Sequence, residues 1–253
     1  GKQQGKYYVP QRAAAGLDPW ATPQAYDNAK DFFDTGITWS NSLNVAQMLD
    51  KSSYSISLGN THQDGIISST GMDRYNVKVS ADTKLTNNWS SGFTANYITT
   101  SIDKAVTSGN GLLRTVYAAP PSYDLAGIPS HVDGNPYTQN SFRGSFDNAY
   151  WAMENNKFTE DTNRFFGNVY ASYQTDFGTT NHKLNAKYMV GVDAYTTHYV
   201  DSYGYGSNTG GGRGQIENYG WTNATYNSLL TINYDWRINE DWGLNAVLGN
   251  EII

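Results

Sequence analysis

The histidines and acidic residues of this chain are the first candidates for chemistry, but their spacing favours neither a metal site nor catalysis. Glu154, Glu160 and Asp161 could act as a glycosidase pair only if a rigid cleft held two of them apart, and they lie in a loop beside the start of a strand. The glycine-rich segment 204–210 lacks the spacing and the βαβ context of a phosphate-binding loop. The histidines lack the close pairing of metal ligands, which favours ordinary polar or loop positions: His62, His131, His182 and His198. We therefore expect no catalytic residue, no metal site and no cofactor.

Aromatic side chains in the long links of the chain are the remaining candidates for ligand binding. Sugar and peptide ligands pack their apolar faces on Tyr and Trp rings. By position, the candidates are Tyr150, Trp151, Tyr203 and Tyr205. The alternative is that these rings pack the long links together or against another protein.

Composition favours strands and turns over packed helices. The 253 residues include 20 Tyr, 7 Trp and 25 Gly, while only 38% are hydrophobic. The net charge of -6 argues against a nucleic-acid partner, because phosphate binding requires clustered Lys and Arg. No stretch approaches the roughly 20 apolar residues of a membrane-spanning helix, but a barrel strand needs only about 9 to 11 and shows every second one to lipid.

Alternation of apolar and polar residues recurs eight times and predicts eight antiparallel strands. In the segment 74–82, for example, the odd positions are apolar and the even positions are polar. Turn residues between such segments predict hairpins at Thr86–Asn88, Phe177–Thr179 and Asn239–Asp241, with a weaker one at Asp50–Lys51.

Short turns alternate with long links along the chain. The long links are expected at about 60–72, 102–161 and 197–220. This asymmetry is typical of transmembrane β-barrels, which have short periplasmic turns and long extracellular loops. In the longest link, Leu112–Tyr117 is expected to form a short helix before Pro120.

Aromatic residues at both ends of the predicted strands resemble the two interfacial girdles of a membrane barrel. Those near the short turns are Trp89, Phe177, Trp236 and Trp242, and those near the long links are Tyr97, Tyr195 and Trp221. The alternative is that aromatic residues simply favour strands. The polar positions are mostly Asn, Ser, Thr and Gln, which suits a hydrated lumen better than the Lys- and Glu-rich surface of a soluble sandwich.

Several segments, in order and at similar spacing, resemble the barrel of SusC/RagA-family TonB-dependent transporters. They are Tyr26–Asn28, Phe32–Gly36, Asn41–Ser42, Ser53–Gly59, Gln63–Ile67, Arg74–Asn76, Asn148–Trp151, Glu154–Asn156 and Asp161–Phe165, and the resemblance covers about residues 26–253. It implies a multi-pass protein of the Gram-negative outer membrane that actively imports oligosaccharides or peptides. It also implies two partners, a SusD-like surface lipoprotein that closes the outside and the TonB complex, which acts through a plug domain.

The departures from that family indicate an internal segment of a larger barrel. Gly1–Gln24 contain no recognisable carboxypeptidase-like domain, TonB box or plug. Eight strands are fewer than the about 22 of plugged outer-membrane transporters, and Asn250–Ile253 lack the terminal aromatic residue of a completed barrel. We therefore expect residues 1–34 to be an irregular segment leading into the barrel, and 35–253 to be a partial antiparallel barrel without enzymatic activity.

Two other functions stay open at this point: a complete small outer-membrane barrel acting as a porin or adhesin, and a secreted carbohydrate-binding β-sandwich. A sandwich would pack the apolar positions of the strands, such as Val190 and Ile232, against a second sheet. A membrane barrel would leave these positions to lipid.

Overall fold

The fold is dominated by one antiparallel sheet of eight long strands. The computed structural model describes residues 2–106 and 111–253. The elements before the sheet are short: β1 (Lys2–Gln3), β2 (Lys6–Tyr8), α1 (Pro10–Ala14), β3 (Trp20–Ala21) and α2 (Asn28–Phe32). The first half of the sheet consists of β4 (Thr38–Met48), β5 (Ser52–Asp64), β6 (Gly71–Lys84) and β7 (Trp89–Lys104).

A long link separates the two halves of the sheet. It contains α3 (Leu112–Ala118), β8 (His131–Val132), β9 (Asn135–Gln139) and α4 (Ala149–Asn155). The second half of the sheet consists of β10 (Lys157–Thr175), β11 (His182–Tyr203), β12 (Gln215–Arg237) and β13 (Gly243–Ile252). A single 3-10 turn, Thr209–Gly212, lies between β11 and β12 in the described part of the chain. The strands of the sheet are neighbours in sequence order from β4 to β13.

The eight predicted strands and their four short turns are confirmed. In the turn between β10 and β11, Phe177 and Gly178 have φ angles of 55° and 74°, and the glycine occupies this left-handed region at no steric cost. The helix predicted before Pro120 is α3. None of the helices in the described ranges is long and apolar enough to cross a membrane.

The strands extend further into the long links than the alternation predicted. β11 and β12 contain 22 and 23 residues, so each spans roughly 75 Å at about 3.4 Å per residue. The links expected at 60–72, 102–161 and 197–220 are shortened to 65–70, 105–156 and 204–214. The reason is that the apolar pattern ends part of the way along each strand, whereas backbone pairing continues beyond it.

The register places the apolar positions of all eight strands on one face, which we call the apolar face. One row of paired residues crosses seven strands: Val45, Ile56, Val79, Ala95, Gly167, Val192 and Tyr226. In a neighbouring row, Val190 pairs with Val169 and is 41% exposed. No second large sheet covers this face in the described part of the chain, because the other sheets there have only three and two strands. The packing that defines a β-sandwich is therefore missing from the structure described.

The eight strands form an open sheet rather than a closed barrel. β4 and β13 are its edges, and each pairs with a single neighbour among the described residues. A complete eight-stranded barrel would require these two strands to pair with each other. The expected barrel is thus present as a large antiparallel sheet without closure.

Most of the buried apolar side chains lie outside the large sheet, in a cluster of short helices and links that we call the loop core. Its members are Val9, Phe32, Leu112, Val116, Tyr123, Leu125, Ile128, Ala149, Trp151 and Ala152. Asn28 joins two parts of it: its side-chain amide donates to the carbonyl of Tyr123 at 2.9 Å and accepts from the backbone N–H of Leu125 at 3.1 Å. Residues 2–34 therefore pack with the longest link through short elements of their own.

Replacing the central residue of the loop core should loosen this region. Trp151 is fully buried, and its indole Nε1 donates to the carbonyl of Pro136 at 2.7 Å. We expect Trp151→Ala to cost about 3–5 kcal/mol of local stability, because it leaves a large cavity. Hydrogen exchange of the α3 and α4 amides in the full-length protein would measure this. Tyr117→Ala is the control, since Tyr117 is exposed, and equal exchange in the two variants would contradict the prediction.

Candidate functional site

The face opposite the apolar one carries polar side chains that hydrogen-bond across strands, and we call it the polar face. The hydroxyls of Ser55 and Ser80 are 2.7 Å apart. On β10 and β11, the guanidinium of Arg164 donates to the carboxylate of Asp193, with Nε 2.8 Å from Oδ1. Cross-strand polar pairs of this kind stabilise a sheet and present a wettable surface. The polar face is therefore suited to contact water and polar solutes.

Near the long-link end of β11, the distribution of aromatic and polar side chains over the two faces of the sheet reverses. Up to Ala194 the apolar side chains have even numbers and lie on the apolar face. Beyond Ala194, the next two even positions are polar, Thr196 and His198. The aromatic residues Tyr195 and Tyr199 have odd numbers and therefore lie on the polar face.

β12 shows the same reversal in the residues that pair with this part of β11. Trp221 and Tyr219 pair with Thr197 and Tyr199 of β11 and share their face. On the opposite side, the hydroxyl of Thr222 is 3.0 Å from that of its partner on β11. Next to the apolar band, this part of the sheet thus has aromatic rings on the polar face and the hydroxyls of Thr196 and Thr222 on the other.

This arrangement corrects the girdle prediction for two residues. Tyr195 and Trp221 do not lie on the apolar face with Tyr97, because their numbers have the opposite parity to the apolar residues below them. The sequence contained the signal, since Val190 and Tyr226 fix the parity of each strand. Trp89 and Trp236 do lie on the apolar face, as predicted.

Three of these rings form a contiguous group, which we call the aromatic cluster: Tyr199, Tyr219 and Trp221. The Tyr199 and Tyr219 rings are stacked, with centroids 5.0 Å apart and an interplanar angle of 9°. The Trp221 ring lies 5.2 Å from that of Tyr199 at 41°. Tyr219 and Trp221 remain 43% and 51% exposed, so the cluster offers open aromatic surface.

Charged groups surround the aromatic cluster. Lys104 Nζ lies 3.1 Å from Glu160 Oε2 and 4.5 Å from the centroid of the Tyr199 ring. The hydroxyl of Tyr219 donates to Asp201 Oδ2 at 3.2 Å. Partial burial raises the pKa of both phenols, helped by the carboxylate of Glu160 at Tyr199 and by the hydrogen bond with Asp201 at Tyr219. Both hydroxyls therefore stay protonated and able to donate.

A cleft of about 780 Å³ adjoins the aromatic cluster at the upper end of the sheet. Its lining includes Gln63, Ile66, Lys104, Phe158, Asp201 and Tyr203. Two of these residues, Lys104 and Asp201, also contact the aromatic cluster. The size is typical of sites for small ligands, which occupy about 300–1,000 Å³. The cleft and the cluster together form the candidate site.

The four aromatic residues that the sequence suggested for ligand binding lie in different environments in the structure. Trp151 is a correction: it is fully buried in the loop core, so its ring has no surface to offer a ligand in this conformation. Tyr150 is half-buried, with its hydroxyl donating to the carbonyl of Asp31 at 3.2 Å. Tyr203 lines the cleft and packs edge-on against Phe158, whereas Tyr205 is exposed outside it.

Comparison with known proteins yields a similarity of fold. No family model matches the sequence, and no curated protein does. Among solved structures, a chain of the RagAB peptide importer in its closed-closed state is similar, with a TM-score of 0.73 and 17% sequence identity. The similarity covers 90% of this chain and 25% of the importer chain. This chain therefore has the fold of about a quarter of that importer chain.

Proposed function

We propose that this chain forms part of the wall of an outer-membrane β-barrel that imports a polar nutrient. One observation carries the proposal: within residues 2–106 and 111–253, a band of apolar side chains crosses one face of the sheet with no second sheet over it, while the opposite face is polar. An exposed apolar surface of this extent is a liability in water. Lipid on one side and a hydrated lumen on the other would satisfy both faces.

The dimensions of the band support the proposal. On β7 the band extends from Trp89 to Tyr97, a stretch of nine residues, which matches the about 9 to 11 residues of a tilted strand in a membrane barrel. Above it the same face becomes polar: the Tyr97 hydroxyl donates to Asn163 at 3.0 Å, and Ser101 donates to Asp161 at 2.6 Å. The band has an upper edge at which the sheet would leave the membrane.

Active import and its partners belong to the same proposal. The similarity in fold to a peptide importer and the sequence resemblance to SusC/RagA transporters both support it. We propose that additional strands complete a barrel of about 22, that a plug transmits energy from TonB, and that a SusD-like lipoprotein covers the outside. The solute would be an oligosaccharide or a peptide, and its passage would need no covalent chemistry.

Arginine substitutions should distinguish the two faces. Val190→Arg or Ile232→Arg would place a charge in the apolar band, and we expect each to cost about 2–4 kcal/mol near the bilayer midplane. Asn185→Arg and Thr231→Arg, on the polar face, should cost much less. Urea titration of the full-length protein in lipid vesicles would measure these values. Equal penalties on the two faces would contradict the assignment.

Thiol labelling offers an independent measurement, because the chain contains no cysteine. In a cysteine-free background, Thr225→Cys should react with a water-soluble maleimide in intact vesicles, because Thr225 lies on the polar face. Tyr226→Cys, its neighbour in the apolar band, should react only after unfolding, because lipid covers it. Equal labelling of both thiols in intact vesicles would exclude the proposed orientation.

Import itself is tested in cells. We expect the full-length product to fractionate with the outer membrane, and deletion of its gene to abolish uptake of the oligosaccharide or peptide that it transports. Loss of TonB should abolish uptake equally, because the proposed transport is active. A soluble product would refute the membrane assignment, and uptake that persists without TonB would identify a passive pore.

A further inference from the structure

We propose that the aromatic cluster is a subsite for the ammonium or guanidinium groups of a basic peptide. The inference rests on the proposed function, and it names the class of solute that this part of the barrel wall would bind. It involves Tyr199, Tyr219 and Trp221 together with the carboxylates beside them.

The cluster already holds one cation of the chain itself. Lys104 Nζ lies 4.5 Å from the centroid of the Tyr199 ring, within the distance at which a cation is attracted to an aromatic face. The cation–π contacts found in the described residues include neither Tyr219 nor Trp221, although both rings are about half exposed. Indole is the aromatic side chain that binds cations best. A second cation could therefore bind where Lys104 does not reach.

The charges around the cluster favour a cation over a neutral ligand. Glu160 is paired with Lys104, but the hydrogen bonds that Asp201 and Glu217 receive come from neutral donors, the Tyr219 hydroxyl and the Gln215 amide. Neither carboxylate is in a salt bridge among the residues that the structure describes, and both lie close to the exposed Tyr219 ring. A neutral sugar could stack on the rings, but it would form no ionic interaction with the carboxylates. An ammonium or guanidinium group would be attracted by both the rings and the carboxylates.

The location suits a solute that enters from the long-link side. The cluster lies on the polar face beyond Ala194, where the unbroken run of apolar residues on the apolar face of β11 ends. Asp201 belongs to both the cluster's surroundings and the lining of the 780 Å³ cleft. A peptide in the cleft could therefore place a basic side chain against Trp221 and Tyr219 while its backbone stays in the cleft.

Binding of short peptides to the purified full-length protein tests this inference. Calorimetry would compare trilysine, trialanine, triglutamate and maltotriose at low and high salt. We expect trilysine to bind most tightly and to weaken as salt rises, because the attraction is partly electrostatic. Trp221→Leu and Asp201→Asn should each weaken trilysine roughly tenfold, and Asp201→Asn keeps an acceptor for the Tyr219 hydroxyl.

Matched controls lie outside the cluster. Asp103→Asn removes a carboxylate near the end of β7 on the other side of the sheet, and Tyr117→Leu removes an exposed ring of α3. Neither should change trilysine binding. The inference is overturned if trialanine or maltotriose binds as tightly as trilysine, or if the controls weaken binding as much as the two cluster variants. Fractionation and TonB dependence are measured separately, so a failure of the import proposal is distinguishable from a failure of this subsite.

Discussion

The structure depends on one constraint: the large sheet is a single layer, so it cannot cover its own apolar face. The interior strands pair with a neighbour on each side, but in the described part of the chain no second sheet covers Val45, Val190 and their row partners. In water such a sheet would associate through this face. In lipid, a sheet needs only to close into a barrel that pairs all its backbone groups and to face its apolar band outward. A lipid environment would therefore supply what a second layer supplies in a sandwich.

The same constraint explains where the chain keeps its buried core. Since the sheet itself offers no interior, apolar burial is concentrated in the loop core around Trp151. This core is tied to the strand ends by polar contacts as well as by packing. The carboxylate of Asp147 accepts from the Ser207 hydroxyl at 2.6 Å and from the Gln139 amide at 2.7 Å, which attaches the link after β11 to the longest link. The cleft lies beside this core, because Ile67 and Ala105 both line the cleft and pack against the loop core.

The sequence predicts the parts of this fold that local chemistry determines. Alternation and turn residues located all eight strands and the four short turns, and Pro120 located the end of α3. The strand ends were not predictable. Beyond the band both faces carry polar side chains, so the strands continue to pair without an alternating pattern in the sequence. The burial of Trp151 was not predictable either, because it depends on contacts with Pro136 and with the distant segment around Phe32. The faces of Tyr195 and Trp221 were predictable from parity, once each strand is counted from its apolar band.

The reversal of aromatic and polar side chains between the two faces of β11 and β12 explains how the fold forms the candidate site. Within the band, lipid would require apolar side chains on one face, and the polar face would be set by water and by the neighbouring strands. Above the band that requirement ends, and Thr196 and Thr222 occupy the positions that apolar residues hold below. The aromatic rings there lie on the other face, and Trp221 is half exposed, so burial does not explain its presence. A half-exposed indole packed on Tyr199, in a cluster whose Tyr219 bonds to Asp201, is better suited to contact a ligand than to stabilise the sheet.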